Sequence, residues 1–217
     1  MSESDKQTLI KWAMSKTAVQ TAESSYFEVV THFGRTHLVM EPFMMATKIA
    51  FHETHPIRKL LEPHFEGTLH INQGAVDSLI SVEGVIDKIF PPPISMTQSL
   101  AVSSCKDFLE NFNDNMLPKT FEKRGTQTLP TEYPFRDDGM LLWNAISDWT
   151  LDYLKIAYSS DYKMRKDPWL KCFWDLLVSI DGGMLKNVGD NGHGVLYTRE
   201  YFAEVRIVNP TALTRSK

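Results

Sequence analysis

Two cysteines are all that this sequence carries, Cys105 and Cys172, far apart along the chain. That scarcity argues against a disulfide framework or a thiolate zinc site and favours a reducing, cytoplasmic setting. A surplus of one charge sign is missing too. Lys and Arg number 23 against 27 Asp and Glu, interspersed along the chain, for a formal net charge of −4. Without a basic stripe to follow a phosphate backbone, nucleic acid is set aside as a partner. Long apolar runs are also lacking. The most apolar stretch, Leu38 to Phe51, is interrupted by Glu41, Pro42 and Lys48, well short of the ~20 residues of a membrane span. Met1 to Gln7 is polar and charged, unlike a secretory signal. The chain therefore reads as soluble, without a transmembrane segment and with peripheral membrane contact left open. There is no internal repeat and no low-complexity tract.

What is present is helical periodicity, which makes the fold class all-α. Leu9 to Ile49 reads as two helical stretches meeting near Ala22 to Ser25, with Ser24 and Ser25 as amino-terminal caps. Pro56 and Pro63 bracket a short segment, Ile57 to Glu62. A helix is expected over Thr68 to Ser81, then an extended connection at Pro91-Pro92-Pro93, then helix again from Ser99 to Phe112. A polar loop is expected from Pro118 to Pro134. It leads into a helix capped by Asp137 and Asp138, on which Leu142, Ile146, Trp149, Tyr153 and Ile156 form one stripe. Pro168 opens a further helix that closes near Gly182-Gly183. From Arg206 to Lys217 no apolar period remains, which reads as a frayed tail.

His32 and His37 stand five positions apart in Thr-His-Phe-Gly-Arg-Thr-His-Leu. On an α-helix that separation turns ~140°, and the rings would not share a ligand. A π-type turn stacks residues i and i+5 one above the other, and Gly34 between them could ease such a rearrangement. Two neutral imidazoles suit zinc, copper, iron or nickel. Two histidines hydrogen-bonded to backbone or water on a half-buried helix suit the same spacing, and the spacing alone leaves both readings open.

The surrounding text is more specific. Arg35-Thr-His-Leu-Val-Met-Glu-Pro-Phe-Met-Met-Ala-Thr, Thr54-His-Pro-Ile-Arg-Lys-Leu-Leu-Glu-Pro-His-Phe and Thr68-Leu-His-Ile-Asn follow one another in order. Trp12-Ala-Met-Ser-Lys lies upstream, and Glu132-Tyr-Pro-Phe-Arg-Asp-Asp-Gly-Met-Leu-Leu-Trp downstream. Together these runs resemble the lipoxygenase signature over roughly residues 10–205. The resemblance implies an incomplete lipoxygenase-type helical catalytic domain with long loops at 1–205, and a non-matching tail at 206–217.

In that family a non-haem iron is held by three histidines, an asparagine or histidine, and the carboxylate of a terminal isoleucine. His32 and His37 match the first two ligands. The others belong to a later helix and the carboxyl terminus, where the match stops, so a truncated and weakly active or inactive chain is expected. The implied reaction takes a polyunsaturated fatty acid with a cis,cis-1,4-pentadiene, removes hydrogen from its doubly allylic carbon, and adds dioxygen to give a hydroperoxide. Ala75 matches the position where alanine accompanies S and glycine R oxygen addition. Leu79 and Ile86 match positions lining the substrate and oxygen channel. Without the resemblance these three read as ordinary packing residues. His55 and His64 match family histidines that are not ligands, His52, His70 and His193 match no ligand position, and Glu41 is not a metal carboxylate in the family. Phe27, Gly34 and Val76 depart from the usual histidine, leucine and arginine. The match begins almost at Met1, so no amino-terminal lipid-binding barrel is expected.

Two function classes follow from this text. One is a lipoxygenase catalytic segment using iron, a fatty acid and dioxygen. The other is a non-catalytic helical fragment that binds a fatty acid or a partner through exposed apolar faces. A haem or di-iron bundle is disfavoured, since neither Glu-x-x-His nor Cys-x-x-Cys-His occurs.

Overall fold

A computed structural model describes residues 2–178, together with Arg199 and Phe202. Helix α1 (Glu3–Tyr26) opens on a reciprocal cap, in which the Ser2 hydroxyl accepts from the Asp5 amide and the Asp5 carboxylate accepts from the Ser2 amide. The break expected at Ala22 to Ser25 is not there. The Ser25 hydroxyl instead donates to the Thr21 carbonyl at 2.9 Å, satisfying itself inside the helix, and the chain runs on into a π-helix over Phe27–Leu38.

After the π-helix, α2 (Met40–Ala50) carries Pro42 in its first turn, where a missing N–H costs nothing. Helix α3 (Pro56–Leu61) is capped by His55, and a 3-10 turn (Glu62–Phe65) leads to Gly67 at φ +74°. That left-handed residue turns the chain into α4 (Thr68–Ser78). α4 stops three residues before the expected end, because the amides of Leu79 and Ile80 both converge on the Ala75 carbonyl. Helix α5 (Val85–Ile89) and the extended prolines precede α6 (Ile94–Glu110), which starts five residues earlier than its periodicity suggests.

A 3-10 turn (Phe112–Asn115) and α7 (Leu117–Lys123) occupy part of the expected polar loop. Pro118 sits in the first turn of α7, so a residue read as a loop boundary is a helix starter. Helix α8 (Pro134–Ala157) begins before Asp137, whose carboxylate reaches back to the Tyr133 amide. Helices α9 (Asp161–Arg165) and α10 (Pro168–Val178) follow, the latter opened by Pro168 as expected. The helix end near Gly182-Gly183 and the tail at 206–217 lie outside the described residues. Every described element is helical, as the all-α reading requires, and none is long and apolar enough to cross a membrane.

The main core is built where α10 lies against α2. Phe43, Met44 and Ala50 meet Leu170, Phe173, Trp174 and Leu177, with Ile57 from α3, Leu154 from α8 and Met164 from α9. Each leucine, isoleucine, phenylalanine or methionine among them contributes roughly 1.5–3 kcal/mol by leaving water. A second, smaller cluster lies where α6 packs along the π-helix: Val29, Phe33, Ile80 and Ala101, with Leu38, Ala75, Ile86, Phe90 and Ile94 packed on it. On α8 the expected stripe is not the buried one. Thr150 and Leu154 face inward, while Trp149 and Ile156 are 59% and 87% exposed.

Candidate metal centre

The π-helix is what brings the two histidines together. Its i to i+5 pattern shows in the Val39 amide bonding to the Gly34 carbonyl, and in the Thr36 hydroxyl donating to the Thr31 carbonyl. In this geometry residues five apart lie on one side. The Nε2 atoms of His32 and His37 stand 3.3 Å apart, with ring planes at 69°. Imidazole nitrogens bind a first-row divalent ion at ~2.1 Å, so two adjacent ligands of one ion lie about 3.0–3.4 Å apart. The observed separation falls in that range.

The other ring nitrogens are both engaged. His32 Nδ1 lies 2.8 Å from the Glu28 carboxylate, and His37 Nδ1 lies 3.0 Å from Asn72 Oδ1. A carboxylate accepts only, so His32 donates through Nδ1. Asn72 is pinned as well: its amide nitrogen donates to Glu41 Oε1 at 2.7 Å and to the His37 carbonyl at 3.2 Å. Its oxygen must therefore face His37 Nδ1. With Nδ1 of each ring engaged in this way, the two Nε2 atoms face one point, an arrangement that a cation between them stabilises. This donor pair fits iron, and an outer carboxylate or amide behind each ring is the usual way of holding a ligating histidine. Among the described residues no third His, Cys, Asp or Glu joins them to complete a cluster.

Gly34 sits between the histidines for reasons of space. A Cβ there would lie 2.7 Å from the Ser104 hydroxyl and 3.2 Å from the Val29 carbonyl, so its absence lets α6 come up against the π-helix. Cys105 on α6 donates to the Gly34 carbonyl at 3.3 Å. Burial pushes its thiol up to about 11, which keeps it protonated at neutral pH in the metal-free protein.

Ala75 follows Asn72 by one turn of α4, and it packs with Ile86 on the cluster that holds Phe33. These two sequence-derived positions thus form part of an apolar wall beside the histidines. Leu79, the third, is 42% exposed at the end of α4. Glu28 and Asn72 were not legible as site residues. Asn72 is a buried polar side chain in an otherwise amphipathic helix, and that is the one signal that could have drawn attention to it. His55 caps α3, bonds Asp167 and stacks on Phe51. A separate cavity of about 770 Å³, between Met44, Lys48, Phe65 and His70, is lined by none of His32, His37, Ala75, Leu79 and Ile86.

A lipoxygenase family profile matches residues 1–188. A linoleate 9/13-lipoxygenase of Pseudomonas aeruginosa is 43% identical over 168 residues, covering 76% of this chain and 24% of that protein. A linoleate 9S-lipoxygenase-4 of Glycine max is 34% identical, covering 81% and 22%. Among solved structures, the crystal structure of Delta413-417:GS LOX superposes with a TM-score of 0.74 at 31% identity, over 89% of this chain and 29% of that one. The fungal lipoxygenase of Fusarium graminearum shares the fold, with a TM-score of 0.71 at 24% identity over 94% of this chain and 31% of that one. The chain spans about a quarter of the length of the curated relatives it matches. On this combination of profile, relatives, fold and paired histidines, the chain belongs to the lipoxygenase family.

Proposed function

We propose that this chain forms the iron-facing part of a lipoxygenase that converts a polyunsaturated fatty acid and dioxygen into a hydroperoxide. The observation that carries the reading is the pair of Nε2 atoms at 3.3 Å, each ring held from behind through its Nδ1. His32 and His37 bind the iron. Glu28 and Asn72 keep their rings aimed at it. Iron held there would supply the one-electron oxidation that removal of a doubly allylic hydrogen requires.

The rest of this chain's work is steric and dielectric. Phe33, Leu38, Ala75 and Ile86 give the site a dry wall, which holds a methylene-interrupted chain and excludes water. Ala75, with its small side chain, directs oxygen addition toward the S face. Leu79 and Ile86 border the path by which substrate and oxygen arrive. Linoleate is the substrate to try first, since it is named in the relatives.

The test is reconstitution with ferrous iron under argon, followed by metal analysis and by conjugated-diene absorbance with linoleate in air. Because only two donors meet among the described residues, this polypeptide alone is expected to retain iron below one equivalent and to turn over slowly or not at all. His32→Ala and His37→Ala are each expected to abolish retention. Equal iron content in wild type and both variants would overturn the site. Full iron loading with rapid turnover would overturn its incompleteness.

The exposed apolar side chains of α1 and α8, Trp12 at 68% and Ile156 at 87%, favour a second reading, in which the chain binds a partner without catalysis. A monodisperse monomer in size-exclusion chromatography across a wide concentration range would count against that reading.

A further inference from the structure

Glu41 is not among the proposed ligands, yet it ends a chain of hydrogen bonds that leads to His37. Its Oε1 accepts from Asn72 Nδ2 at 2.7 Å, and Asn72 Oδ1 accepts from His37 Nδ1 at 3.0 Å. The three groups come from three elements: Glu41 from the first turn of α2, Asn72 from α4, His37 from the π-helix. Asn72 is 1% exposed, so no solvent competes for its amide. An asparagine can present either end of its amide to a ring nitrogen. Here both atoms beyond Nδ2, the Glu41 carboxylate and the His37 carbonyl, are pure acceptors, and the amide has one satisfied orientation.

We infer that Glu41, acting through Asn72, fixes His37 as the Nδ1–H tautomer and so keeps its Nε2 lone pair directed at the point His32 faces. Both are positioning residues. Their effect on metal affinity rests on the proposed iron site, whereas their effect on the tautomer does not. The two imidazoles are held unequally: a carboxylate touches His32 directly, while His37 feels one only through an amide. Carboxylate contact raises the basicity of a ligating imidazole, so His32 is the stronger donor and His37 the one that depends on being aimed.

The experiment uses the full chain in three variants. Asn72→Leu removes the relay at similar volume. Glu41→Ala, at a half-buried position, leaves only the His37 carbonyl to hold the amide. Glu41→Gln keeps an acceptor oxygen in place. Two readouts are taken: long-range proton–nitrogen NMR of the metal-free protein, which reports the His37 tautomer, and titration with cobalt(II) followed by its visible absorption.

Wild type and Glu41→Gln are expected to show the Nδ1–H form. Asn72→Leu is expected to lose that preference and to bind cobalt roughly 10–100-fold more weakly, the range typical of lost outer partners. Glu41→Ala should fall between. A folded Asn72→Leu or Glu41→Ala that keeps both the wild-type tautomer and a cobalt affinity within twofold of wild type overturns the inference. Should Asn72→Leu fail to fold, by circular dichroism, Glu41→Ala carries the test alone. If His37→Ala binds cobalt as wild type does while the tautomer still shifts in Asn72→Leu, the metal site is wrong and the relay stands.

Discussion

Gly34 is held in place by the close approach of α6, which makes a methyl group at this position a sensitive probe. Gly34→Ala gains up to ~1 kcal/mol of helix propensity. It also drives a Cβ to 2.7 Å from a Ser104 hydroxyl that is buried and bonded to the Ala101 carbonyl, and overpacking of this kind costs about 1–3 kcal/mol. The net expectation is a destabilised protein by urea denaturation, with the penalty reduced when Ser104→Ala is already present. Equal penalties in the two backgrounds would show that Ser104 is not the obstacle. At this scale the sequence was partly legible. His32 and His37 could be paired because a π-turn makes a spacing of five meaningful. Their supports split by distance along the chain: Glu28 lies one turn from His32, whereas Asn72 lies 35 residues from His37, a separation that no local periodicity spans.

Two helix starts are tied together by one carboxylate. Asp167 Oδ1 accepts from the Trp169 and Leu170 amides at the head of α10, and its Oδ2 accepts from His55 Nε2 at 2.9 Å and from the Tyr158 hydroxyl. His55 meanwhile accepts from the Ile57 amide at the head of α3. Burial pushes the Asp167 carboxyl up, but the bonds from His55, Tyr158 and Leu170 outweigh it and hold the group at about 2, below its usual 3.8. A depressed carboxyl stabilises the fold above the unfolded value, and that stability is lost as pH falls through the folded one. The contribution should therefore be complete above about pH 4 and disappear toward about pH 2. Asp167→Asn keeps an amino-terminal cap but weakens charge-assisted bonds worth about 1.5–3 kcal/mol. Thermal melts from pH 6 to pH 2 should show a lower starting stability and a flatter acid limb in the variant; parallel curves would refute the assignment. Prolines marked these boundaries reliably where they opened α3 and α10. They misled at Pro118, where a helix starter was read as loop, because the sequence alone does not say on which side of a proline the helix lies.

Among the described residues, many large apolar side chains lie exposed. Helix α1 buries only Ser25 among its 24 residues, and Leu9, Ile10, Trp12, Met14 and Val19 all lie open. These side chains are already in water, so Trp12→Glu with Ile156→Glu should change folding stability by no more than about 0.5 kcal/mol per site. The same pair should shift the elution profile toward monomer in size-exclusion chromatography. A profile unchanged by the double substitution would place the association surface elsewhere. The all-α class and the family were legible from the sequence. Which faces are covered was not, because the α8 stripe has a helical period whichever side meets a neighbour.

Helix α4 carries two responsibilities on one face: three positions after the amide that steers His37 comes the small residue of the apolar wall. Under the proposed function, enlarging residue 75 is expected to disturb that amide, one turn away on the same helix, as well as the wall. If residue 75 directs oxygen addition and His37 holds iron as proposed, a change of product stereochemistry there is expected to travel with looser iron, and a designer who wants one change without the other must brace Asn72 from the Glu41 side first.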